Sequence, residues 1–235
     1  MEINEFNEIK AKTLRKNLEA VVFDMDGLIF NTEWIIKYSW DIVGKEMGFE
    51  NFGDNIFNTL GMNHNQRKEY FREKYGEEFE FDKFTERYRE VSSLYMEKNG
   101  IPIKKGLKNI LEYLKNNKIK MAVATSSSRA FAMDKIKKVG IEKYFDIIIC
   151  GDMVTKSKPD PQIYIKACDE LKVNYNNCIA FEDSPKGIIA ADLAGMNPIM
   201  IPDLIKNAPS EVEEILLAKF ESLDEAIDFI ENKII

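Results

Sequence analysis

After Pro102 short apolar runs alternate with helical patterns for most of the remaining chain. Leu107, Ile110, Leu111 and Leu114 recur at helical spacing, and residues 119–124 form an apolar run of strand length. Phe131, Met133, Ile136 and Val139 then predict a helix, with Gly140 in the position that commonly ends one. Further strands are expected at 145–150, 178–181 and 199–201. Helices are expected to start at Asp160-Pro161 and at Ser184-Pro185, with the acid or hydroxyl as N-cap and proline in the first turn. Ser210-x-x-Glu213 and Ser222-x-x-Glu225 read as capping boxes opening two more. Strands that alternate with helices require crossover connections. The fold class is therefore α/β, a Rossmann-like parallel sheet sandwiched by helices.

Upstream, residues 20–24 are apolar on both alternations, as a central strand covered on both faces would be. Residues 2–18 carry a helical pattern leading into it. Between residues 32 and 101 the character changes: aromatic and charged residues alternate at helical spacing, with almost no strand-like run. Trp34, Tyr38, Val43 and Met47 suit one helix; Phe84, Tyr88, Val91 and Tyr95 suit another. The expected organisation is a core of residues 1–31 and 102–235, with a helical-bundle cap at 32–101 inserted after the first strand.

Ligands of open parallel sheets bind beyond the carboxyl ends of the strands. Four polar segments fall there: Asp24-x-Asp26-Gly27 after the first strand, Thr125-Ser126 after the second, Lys158-Pro159 before a helix, and Glu182-Asp183 after the strand beginning at Cys178. Singly, each is an ordinary turn or helix start. Together they make a site with chemistry. A carboxylate can attack phosphorus and split hydrolysis into two easier steps. Anion attacking anion needs positive charge, and one lysine cannot balance four acids. Clustered oxygen ligands suit Mg²⁺. Lys158 adds a fixed charge, the Thr125 and Ser126 hydroxyls can hold phosphoryl oxygens, and Asp26 can handle protons.

Composition narrows the partner. The net charge of −7 argues against nucleic acid as the main ligand and leaves a small phosphorylated metabolite. The three cysteines, widely spaced with no CxxC, fit reduced thiols rather than a disulfide framework or zinc site. The first residues lack the apolar core of a signal peptide, and no run reaches the length of a membrane span. The expected location is cytoplasmic, with no membrane partner.

Asp24-x-Asp26-Gly27, the Thr125-Ser126 pair, Lys158-Pro159 and Glu182-Asp183 resemble the motifs of the haloacid dehalogenase-like phosphatase superfamily, over nearly the whole chain after residue 19. Asn31-Thr32-Glu33 and Lys158-Pro159-x-Pro161 resemble the branch that includes β-phosphoglucomutase and sugar-phosphate phosphatases. The resemblance implies a phosphoric monoester hydrolase with Asp24 as nucleophile and Asp26 as general acid/base. It implies Mg²⁺ bound by the Asp24 carboxylate, the Asp26 main-chain carbonyl and Asp183, with Glu182 ligating or assisting. Thr125, Ser126 and Lys158 would bind phosphate.

Three functions fit this pattern: a phosphatase, a phosphomutase of the β-phosphoglucomutase type, and a non-enzymatic receiver-like phosphate-binding module. Receivers carry the acceptor aspartate on a later strand and have no large insertion after the first. Mutases of that branch carry a histidine four residues beyond the threonine and an arginine in the second cap segment, where this chain has Ile36 and His64. Asp26 argues against dehalogenation, because dehalogenases lack the second aspartate. Lys37 lies in the region where phosphonate-cleaving relatives place a Schiff-base lysine. Simple hydrolysis of a small phosphorylated metabolite through an aspartyl-phosphate is the favoured reading.

Overall fold

The computed structural model describes residues 18–60 and 62–234; the helix expected over residues 2–18 falls almost wholly outside the described residues, as does Gly61. Six parallel strands form one sheet: β1 (Ala20–Phe23), β2 (Lys120–Thr125), β3 (Ile147–Cys150), β4 (Cys178–Glu182), β5 (Asn197–Met200) and β6 (Ala218–Lys219). Their order is β3-β2-β1-β4-β5-β6, so the chain order reverses at β1. Five strands are expected from the sequence. The sixth is a two-residue edge strand, too short to show a period.

Helices cover both faces. The insertion contributes α1 (Glu33–Glu46), α2 (Ile56–Thr59), α3 (His64–Tyr75) and α4 (Phe81–Asn99). The core then adds α5 (Leu107–Asn116), α6 (Arg129–Val139), α7 (Gln162–Leu171), α8 (Pro185–Leu193), α9 (Ser210–Glu213) and α10 (Leu223–Phe229). β1 shows why its sequence is apolar throughout. Val21 and Phe23 pack with residues of α5, α6 and α10 on one face. Ala20 and Val22 pack with residues of α7 and α8 on the other.

Local signals mostly do what their chemistry requires. Ser184 caps α8 by accepting from the Gly187 N–H at 3.2 Å. Gly140 ends α6 at φ +74°, a conformation that costs glycine little. Asp160 accepts from the Gln162 N–H at 3.0 Å, but the helix begins one residue later than expected: Pro161, not Asp160, takes the N-cap and α7 starts at Gln162. The two expected capping boxes do not form. Pro209 takes the N-cap of α9, and Ser222 spends its hydroxyl on the Glu225 carboxylate at 3.1 Å.

α1 to α4 share an aromatic core of their own around Trp40, Phe52, Phe71 and Phe84, with ring centroids 5.1–5.5 Å apart. The expected face of α1 needs correcting. Val43 is buried and Met47 packs beside it as expected, but Trp34 and Tyr38 are 40% and 48% exposed, and Ile35 and Trp40 are buried in their place. Trp34 and Tyr38 lean on Tyr95 of α4 at 5.4 and 6.1 Å, which satisfies their rings at the surface. The two connections to the sheet domain run side by side. Asn31 N–H donates to Pro102 O, and Lys104 N–H to Ile29 O, both at 3.0 Å.

Candidate active site

The reversal of strand order at β1 opens a crevice at the carboxyl ends of β1, β2 and β4, where the helical insertion covers it. A cavity of about 270 Å³ lies there. Asp24, Asp26, Thr125, Ser126 and Asp183 line it. Lys158 and Glu182, the other two residues singled out from the sequence, sit directly behind Asp24 and do not reach the cavity wall.

Asp24 follows β1 and is fixed by its own N–H, which donates to Phe181 O at 2.9 Å. Its carboxylate meets the Lys158 ammonium at 2.5 Å. Lys158 is 2% exposed and fully satisfied: it also donates to Glu182 Oε1 at 2.6 Å, Ala124 O at 3.1 Å and Tyr164 Oη at 3.3 Å. Glu182 is saturated in turn. Tyr164 donates to Oε1 at 2.6 Å, and Oε2 accepts from the Asp183 and Ser184 N–H groups and the Ser184 hydroxyl at 3.1–3.3 Å. With Glu182 committed to this network, Asp24 and Asp183 remain as the open carboxylates.

Those two show what the site lacks. Burial, partly offset by Lys158, raises the Asp24 carboxyl from 3.8 to about 7. Burial and the neighbouring acids Glu33 and Asp24 raise Asp183 well above the usual carboxylate range. One oxygen each of Asp24, Glu182 and Asp183 lies within 4.8 Å of the others. Hard oxygen donors short of positive charge fit a Mg²⁺-sized divalent cation. Gly27 makes the room. At φ +90° a Cβ there would stand 2.2 Å from Asp183 Oδ2.

Asp26 is held differently. Ser127 donates to its Oδ2 at 2.7 Å and Lys135 to its Oδ1 at 2.8 Å. Burial alone would raise this carboxyl, but Lys135 and Ser127 bring it below the ordinary value. Thr125 is 1% exposed, and its hydroxyl accepts from the Ser127 N–H at 3.0 Å, shaping the loop after β2.

Ser127 ends the Thr125-Ser126-Ser127 run without a role assigned from sequence, and the motifs do not mark Lys135, Tyr164 or Arg67. Lys135 looks like one of several surface lysines in Lys135-Ile136-Lys137-Lys138. Only its place between Phe131 and Ile136 on an amphipathic helix hints at the inner face. Glu33, at the start of α1, lines the cavity with Oε2 unpaired, and burial followed by Asp26 raises it to about 8. The roof mixes apolar residues, Ile36, Trp40, Leu60, Met62 and Phe81, with Asn63, His64, Arg67 and Arg89. His64 opens α3 half-exposed at the rim, 3.5 Å from Asp82. Lys37 does not line the cavity; it pairs with Asp54 at 2.9 Å, so nothing here supports a Schiff-base role.

Comparison with known proteins identifies the family. Residues 21–201 match the family model described as haloacid dehalogenase-like hydrolase. The chain is 31% identical over 186 residues to a phosphorylated carbohydrates phosphatase of Thermotoga maritima, covering 77% of this chain and 84% of that protein. Among solved structures, a hydrolase of the same family (family IA, variant 3) from Entamoeba histolytica superposes with TM-score 0.75 at 28% identity, over 91% of this chain and 100% of that one. A β-phosphoglucomutase from Clostridium difficile shares the fold, with TM-score 0.75 at 23% identity over 92% and 97% of the two chains.

Proposed function

The chain belongs to the haloacid dehalogenase-like hydrolase family and is a phosphoric monoester hydrolase, and from that premise we propose a Mg²⁺-dependent phosphatase of small phosphorylated metabolites, sugar phosphates foremost. One observation carries the reading: a lysine-braced carboxylate, Asp24, opens onto a cavity beside a second crowded acid, Asp183.

In this mechanism the Asp24 oxygen not bound to Lys158 attacks phosphorus. The P–O bond to the leaving group breaks, and Asp26, ionised at rest but driven to take up a proton by the incoming phosphate anion, gives that oxygen its proton. Asp26 then takes a proton from water, whose oxygen attacks the aspartyl-phosphate and releases inorganic phosphate. Thr125 and Ser126 hold the phosphoryl oxygens, and Lys158, expected from the motifs to join them, braces Asp24 from behind the cavity wall instead. Asp24, the Asp26 carbonyl and Asp183 would hold Mg²⁺, with Glu182 assisting through Lys158; the ion supplies the positive charge that lets one anion approach another. Residues 32–101 act as the cap that excludes water and reads the leaving group, and residues 1–31 and 102–235 as the catalytic core. The separate aromatic core and the paired linkers support that division. Free, buried Cys150, Cys168 and Cys178 suit a reducing cytoplasm.

A panel of phosphorylated sugars assayed for phosphate release tests the reading. Release should require Mg²⁺, stop with EDTA and vanish in Asp24→Asn. Undiminished turnover in that variant would remove Asp24 as nucleophile. β-Glucose 1-phosphate belongs in the panel: isomerisation without phosphate release would favour a mutase. Ile36 at the cavity wall, where that chemistry uses histidine, speaks for hydrolysis.

A further inference from the structure

A lysine is seldom buried without a task, because removing its charge from water costs several kcal/mol. Lys135 is 2% exposed. Its ammonium donates to Asp26 Oδ1 at 2.8 Å and lies 3.4 Å from Thr32 Oγ1. Two rings complete its shell, Phe131 at 4.4 Å and Phe30 at 5.4 Å. The neighbours Lys137 and Lys138 on the same helix are exposed. Ser127 holds the other Asp26 oxygen at 2.7 Å, so both tethers come from the β2–α6 unit rather than from the loop carrying Asp26. Thr32 occupies the N-cap of α1 but makes no side-chain cap, which leaves its hydroxyl to Lys135.

We infer that Lys135 is a positioning residue: it orients the Asp26 carboxylate for proton transfer and, through Thr32, ties that orientation to the segment leading into the helical insertion. The inference rests on the reading of Asp26 as general acid/base. Without those tethers the side chain would have several rotamers open to it, and catalytic groups lose rate steeply when displaced by about an ångström.

A double-mutant cycle tests it. Wild type, Lys135→Met, Asp26→Asn and the double variant are compared for Mg²⁺-dependent turnover of a sugar phosphate from the panel, with Tm recorded for each. Methionine keeps the length and packs against Phe30 and Phe131; Lys135→Gln replaces it where methionine prevents folding. The expected result is a kcat about tenfold or more lower in Lys135→Met with KM within about threefold, and no further loss when Lys135→Met is added to Asp26→Asn. Wild-type kcat in folded Lys135→Met or Lys135→Gln overturns the proposal. So does an equal fractional loss with and without Asp26, which would mean that Lys135 acts elsewhere. Full activity in Asp26→Asn is a different failure: it removes the acid/base reading itself and the inference with it.

Discussion

Asp24, Asp183 and Glu33 are crowded acids in one cavity, and their titration links the site to stability. Burial raises Asp24 from 3.8 to about 7 and Glu33 from 4.5 to about 8, and Asp183 moves the same way. A folded carboxyl that keeps its proton when the unfolded one releases it stabilises the fold at low pH. That contribution is lost as pH rises through the folded value. The metal-free protein should therefore lose Tm from about pH 5 to about pH 8. Asp26 is shifted downward, so its stabilising contribution is lost only in acid below this window. His64, lowered by burial, opposes the trend, but its side chain is 46% exposed and its effect small. Mg²⁺ competes with the same protons, so it should raise Tm strongly near pH 8 and little near pH 5. Melting curves in EDTA and in Mg²⁺ across that range check this; a Mg²⁺ shift independent of pH would mean the ion binds elsewhere.

The loop between β1 and α1 does two jobs within a few residues: it turns the chain away from the sheet and leaves space for Asp183. Gly27 serves both, at φ +90° and with a virtual Cβ 2.2 Å from Asp183 Oδ2. Gly27→Ala should cost about 1–3 kcal/mol in stability and raise the Mg²⁺ concentration for half-maximal activity about tenfold or more. Gly48 makes the control, since it has φ +87° but no atom within 4 Å of a virtual Cβ. Gly48→Ala should share the backbone cost and leave the Mg²⁺ requirement unchanged; equal shifts in both would make the effect one of strain alone. This loop, an ordinary turn by itself, was readable in sequence because Thr125-Ser126, Lys158 and Glu182-Asp183 fall at the same rim of a parallel sheet. Ser184-Pro185 was readable because its cap chemistry is local. Trp34 and Tyr38 misled because an aromatic can satisfy its ring against one neighbour at the surface, as these do on Tyr95. β6 was invisible because two residues carry no period, and Lys135 because burial of a lysine depends on a partner more than a hundred residues away in the chain.

At the scale of the molecule, the sheet with its packed helices and the aromatic core of α1 to α4 meet across the cavity, and each side contributes different groups. The sheet side supplies the acids and hydroxyls whose order along the chain made the family visible. The helical side supplies a mixed wall whose residues share no pattern, because they are drawn from α1, α3 and α4 by packing alone. Arg67 is its most informative member. It lies in the first turn of α3, lines the cavity, and has a buried Nε without a hydrogen-bond partner. Asp26, Glu33 and Lys186 all feel its charge. A buried donor left unpaired in the protein is ready to be paired by a ligand, and a substrate that does so gains selectivity over one that cannot. Arg67→Met should therefore lower kcat/KM for a phosphorylated sugar about tenfold or more. Acetyl phosphate offers no sugar hydroxyls for Arg67 to recognise, and its kcat/KM should change by about twofold or less. Steady-state kinetics on the two substrates separate recognition from chemistry. Equal losses on both would place Arg67 with Asp26 in the chemical step, and the cavity wall would then owe its selectivity to other residues.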